Sequence, residues 1–137
     1  MQLSQANLKA LMISLHHDLE LESKNVSTNL FNGSIDSLSY PPTEESILTP
    51  EEKEALQLVK GNKALSEALQ KILANHSSSV LFGLFNVIDG TADPHPLIDQ
   101  WTEVVVIDRP EDYVENHEML HDEFYSTYHD WKDLESL

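Results

Sequence analysis

Apolar and polar positions alternate along this chain mostly with a helical period. Over residues 4–20, Leu8, Leu11, Met12, Leu15 and Leu19 fall on one face, the spacing of an amphipathic helix. Ser4 is placed to cap its start, with Leu3 able to fold back on Leu8. Residues 22–47 change character. Ser, Asn and Thr dominate, Gly33 interrupts, and Pro41-Pro42 forbids helix. The pattern predicts a long polar loop there, with short extended pieces around Val26 and Leu30.

Thr49-Pro50-Glu51-Glu52 is a strong helix start. Thr49 caps, Pro50 suits the first helical position, and Glu52 completes a capping box. This predicts a helix to about Lys60, stopped by Gly61. A second helix, capped by Asn62 and carrying Leu65, Leu69, Ile72 and Leu73 on one face, runs to near His76. Ser77-Ser78-Ser79 then precedes Val80–Ile88. Periodicity alone does not separate a buried strand from a buried helix in so short an apolar run. The serine cap before it and Asp89-Gly90 after it favour a short helix at the centre of the core. Trp101–Ile107 is the best strand, and the 22–47 and 80–88 segments are its candidate partners. A final helix is predicted over about 111–134, with Leu120, Phe124, Tyr128 and Trp131 as an aromatic-rich core stripe. The expectation is one α+β domain over 1–137, predominantly helical, with four to five helices packed on a small β-sheet. The length suits a single domain.

Charge adds direction to this picture. The chain carries a net −16, unevenly spread. Residues 1–50 hold six acids and two bases, residues 51–77 four of each, and residues 78–137 fourteen acids against Arg109 and Lys132. Such a field repels phosphate backbones and anionic lipid, so nucleic acid and membrane are not expected partners. A basic protein is. The N-terminus has no basic run ahead of a cleavage-type site, and no apolar stretch reaches the ~20 residues that span a bilayer. A soluble, cytoplasmic protein is therefore expected. The chain has no cysteine, which excludes disulfides, thiolate metal sites and cysteine nucleophiles.

One motif carries definite chemistry. His117-Glu118-Met119-Leu120-His121 has the H-E-x-x-H lettering of the zincin metallopeptidases, which it resembles superficially. Two histidines four apart on a helix can ligate zinc, and the Glu between them can polarise a bound water. The surroundings depart from that pattern. Glu115, Asp122 and Glu123 flank the histidines. Phe124 and Thr127 stand where an extended motif would have Gly and His. His129 lies two turns further up the same helix, and His95 and His76 have no motivated role as a third ligand. The expectation is thus a protein without cofactor or catalytic residue, an interaction module that holds a basic partner in the manner of an inhibitor or immunity-type protein. A zinc-dependent hydrolase using His117, Glu118 and His121 is the alternative. A helical pocket for a small ligand near Val80–Ile88 is a third reading.

Overall fold

A computed structural model describes residues 3–35, 47–93, 102, 104–112, 120, 124, 127, 128, 130 and 133. Its frame is a pair of long antiparallel helices, α1 (Gln5–Asn32) and α3 (Lys63–Ile88), joined through a short α2 (Pro50–Leu56) and a 3-10 turn, Gln57–Val59. At 28 and 26 residues, the long helices extend about 40 Å each, so either can line most of the other.

The start of α1 follows the expected cap, with Ser4 Oγ accepting the Asn7 N–H at 3.3 Å. Its end does not follow expectation. The helix continues through residues 22–32, part of the predicted polar loop, and stops only at Gly33, which adopts φ 80°. There the Gly33 N–H donates to the Leu30 carbonyl and the Ser34 N–H to the Asn29 carbonyl, at 3.0 and 2.8 Å. This is a glycine-terminated close that supplies partners to the last carbonyls. Residues 36–46 of the predicted loop lie outside the described residues.

Tertiary packing explains why a Ser- and Asn-rich stretch stays helical. Val26 and Leu30 extend the stripe begun by Leu8, Met12, Leu15 and Leu19, and between them Ser23 and Ser27 are buried. A hydroxyl in a helix interior can be satisfied by a carbonyl of the preceding turn. Ser23 Oγ donates to Leu19 O at 2.7 Å and Ser27 Oγ to Lys24 O at 3.0 Å. From the facing helix, Ser66 Oγ donates to the Ser27 carbonyl at 3.0 Å. The small side chains bring the two backbones close, and the propensity of Ser for turns is overridden.

The corner between α2 and α3 matches the sequence closely. Thr49 Oγ1 accepts the Glu52 N–H at 3.2 Å while Glu52 Oε2 accepts the Thr49 N–H at 2.7 Å, a reciprocal capping box. Val59 is buried, and the Gly61 N–H, at φ 69°, reaches back to the Phe31 carbonyl at 3.0 Å. Asn62 Oδ1 then caps α3 by accepting the Leu65 N–H at 3.1 Å.

Several expectations fail in α3 and beyond. The triple serine does not begin a new helix. Ser79 Oγ bonds to Asn75 O at 3.0 Å, and α3 runs unbroken to Ile88, so 80–88 is helical and continuous with the preceding segment. Nor is it the centre of the core, since Val80, Phe82 and Leu84 are 51–68% exposed. The expected α+β architecture of four to five helices and a small sheet is also wrong. The continuous described segments form three α-helices and no strand, and Ile107 makes only an isolated bridge. The physical reason is a shortage of partners. A strand needs a neighbour to satisfy its backbone, yet residues 22–32 are taken into α1 and 80–88 into α3. Of the expected aromatic stripe, Leu120, Phe124 and Tyr128 have helical geometry; Tyr128 is half-buried, whereas Leu120 is 85% exposed and Phe124 is exposed too. Trp131 lies outside the described residues.

The close serine contact predicts a strongly size-dependent response. Ser27→Leu inserts a branched side chain between the backbones and is expected to destabilise the fold by about 1–3 kcal/mol. Ser27→Ala removes only a locally satisfied hydroxyl and should cost less than about 1 kcal/mol. Urea unfolding followed by helical circular dichroism measures both. Equal effects would contradict the close approach.

Candidate interaction surface

The seam between α1 and α3 opens into two apolar crevices. Near the free end of the hairpin, Met12, Leu15 and Leu19 of α1 face Leu81, Phe82 and Phe85 of α3 around a space of about 230 Å³. His16 and Ser78 supply the polar groups at its edge. Near the closed end, Val26 and Leu30 meet Leu69 and Leu73, with Ile35 and Leu56 completing a second apolar space of about 210 Å³. Both follow from a two-helix seam in which large side chains on either side of the buried serines hold the helices apart. The first lies along the Val80–Ile88 region named in the third reading of the sequence. The α1 half of its wall was legible as the Leu8–Leu19 stripe. The α3 half was obscured by placing 80–88 at the centre of the core.

A third recess, of about 270 Å³, lies beside the corner and is more polar, with Thr28, Phe31 and Ser66 around it. The Lys63–Glu67 pair at its rim spans 3.7 Å between exposed side chains. An exposed pair one turn apart contributes only a few tenths of a kcal/mol, so it marks the rim without organising it.

Asp108 ties the acidic segment to the frame. Asp108 Oδ2 accepts the Ser4 N–H at 3.1 Å, adding a negative charge from 104 residues away to the N-terminus of α1. A carboxylate is favoured there because the first-turn N–H groups lack helical partners and the helix dipole is positive at that end. Hydrogen bonds from the Asn7 side chain, then the Ser4 side chain, hold the Asp108 carboxyl below its ordinary value, against desolvation, which raises it. On either side of this anchor in the sequence, Asp89, Asp93, Glu111, Asp112, Asp130 and Asp133 are all exposed.

The residues proposed for zinc are not brought into a describable site. His117, Glu118 and His121 lie outside the described residues, as do His95 and His129. Leu120, within the motif, is helical and exposed. His16 and His17 lie on α1 and His76 on α3, all exposed. Among the described residues no group of three or more His, Asp or Glu side chains is arranged to hold a metal ion. No helix among them is long and apolar enough to cross a membrane.

The Asp108 contact has a pH signature. Because its pKa is lowered in the folded chain, its contribution to stability is present above the ordinary carboxylate value of about 3.9 and is lost as pH falls through the lowered value. Asp108→Asn should lower the thermal midpoint relative to the parent chain at pH 6, with the difference shrinking as the pH drops below about 4. Thermal melts of both proteins across pH 2.5–7 (about 0.5 pH apart) test this. A difference that does not change with pH would contradict the assignment.

No protein-family model matches this chain, and no curated protein or solved structure shows significant similarity to it.

Proposed function

We propose that this protein is an acidic, non-enzymatic interaction module that binds a basic protein partner, in the manner of an inhibitor or immunity-type protein. The observation that carries the reading is the concentration of charge. Residues 78–137 hold fourteen acids and two bases, and six of those carboxylates are exposed at described positions on either side of Asp108 in the sequence. Clustered like charges on one region produce a potential that accelerates encounter with an oppositely charged surface and disfavours anionic ones. The two apolar crevices support the same reading, because they offer places on a helical frame for a partner's large side chains. Residues 51–77, balanced at four acids and four bases, would not draw a basic partner.

The competing reading, zinc-dependent hydrolysis by His117, Glu118 and His121, has the sequence motif as its support. Metal analysis separates the two. After equilibration with zinc and removal of excess, a hydrolase of this kind retains about one zinc per chain and loses it in His121→Ala. An interaction module retains none specifically.

For the partner reading, the immobilised chain is exposed to cell extract at low salt, and bound proteins are eluted with a salt gradient and identified. The affinity of the purified candidate is then measured from about 50 to 500 mM salt. The partner should be basic, and its affinity should fall as salt rises. Replacing Asp89, Asp93, Glu111 and Asp112 by their amides should slow association by about tenfold with little change in helix content. Affinity indifferent to both salt and these substitutions would overturn the proposal.

A further inference from the structure

The second half of α3 has a property that a charge-driven function does not use. From Ile72 to Ile88 there is no Asp, Glu, Lys or Arg, the longest such stretch in a chain of net −16. A helix that is uncharged and largely apolar around its circumference is normally covered on more than one side. Here α1 covers one flank, through Leu81 and Phe85. On another face Ile72, His76, Val80 and Leu84 recur at every fourth residue, and all four are exposed. Gly83 lies exposed close to this ridge, with open space where a Cβ would stand.

We propose that two copies of this chain associate through this ridge, α3 crossing over α3, so that two helical hairpins form a four-helix assembly. Charge selects the occupant. Two chains of the same strong negative charge repel wherever their carboxylates face, and the Ile72–Ile88 surface is the longest stretch over which they can touch without opposing like charges. A basic partner has nothing to pair with there and is drawn to the carboxylates beyond Asp89. Geometry agrees. A ridge of residues four apart interdigitates with an identical ridge at a crossing near −50°, and a self-complementary patch is what a two-fold interface requires. A residue without a side chain beside that ridge permits close approach. The size of the core agrees as well. Leu30 and Val59 are the buried apolar side chains among the described residues, so the described helices keep exposed apolar surface for a second copy to cover.

The inference does not rest on the basic-partner reading, and salt separates the two. Screening weakens attraction to a basic partner but relieves repulsion between acidic copies, so self-association should strengthen as salt rises. The test is sedimentation equilibrium of the full chain over a range of protein concentration and salt. The expected result is a mass moving from 15.5 kDa to twice that value, more readily at high salt. Val80→Glu and Leu84→Glu place carboxylates on the ridge and should raise the dissociation constant at least about 100-fold. In case they disturb folding, Val80→Cys gives a second readout. The natural chain has no cysteine, so any disulfide formed joins two copies, and it should form much faster than in Glu22→Cys, a change at an exposed site on α1. A monomer under all conditions, a dimer unaffected by the glutamates, or equal cross-linking at both cysteine positions would each overturn the proposal.

Discussion

The structure depends on how closely α1 and α3 approach where Ser23 and Ser27 are buried. A larger side chain at either position would hold the helices apart. An unsatisfied hydroxyl would leave a buried polar group at a cost of about 1–3 kcal/mol. Both problems are solved locally, since each serine donates to a carbonyl of its own helix and Ser66 donates across the seam to Ser27. That contact sets the register of the hairpin. The register in turn places Val26 and Leu30 of α1 against Leu69 and Leu73, and Met12 and Leu15 against Leu81 and Phe85.

The remaining parts follow from this seam. Gly33 ends α1 with a left-handed residue, and Gly61 ties the corner to the Phe31 carbonyl, so the α2 corner is anchored at the closed end of the hairpin. At the other end Asp108 brings the acidic segment to the first turn of α1. One end of the frame is therefore a near-neutral corner and the other is the landing point of the charged part of the chain. An interaction surface beside Asp108 and an uncharged ridge along α3 can coexist because they use different residues and respond to salt in opposite directions.

Local signals were legible in the sequence wherever one residue's chemistry decides the backbone. The Ser4, Thr49 and Asn62 caps, the Glu52 capping box and the stop at Asp89-Gly90 all take the form that the residues predict. Segments governed by long-range packing were not legible. Residues 22–32 have the composition of a loop, and packing by the facing Ser66 and the neighbouring Val26 and Leu30 makes their helix favourable. The triple serine has the composition of a cap, yet it lies within a helix whose other turns are already stabilised. The expected sheet failed for a related reason, because its candidate partners had a better use as helix. Of the candidate site, the acidic region and the apolar stripe of α1 could be read directly. The crevice between α1 and α3 could not, since it exists only once the register of the two helices is set.

One uninterrupted hairpin, held at its serine contact, presents these surfaces. Amide hydrogen exchange at residue resolution tests it most directly. The account predicts protection that continues from residue 22 to residue 32 and from Lys63 through Ser77, Ser78 and Ser79 to Ile88, strongest around Ser27 and Ser66. Rapid exchange across 22–32, or a gap of fast-exchanging amides at the triple serine between protected flanks, would contradict it.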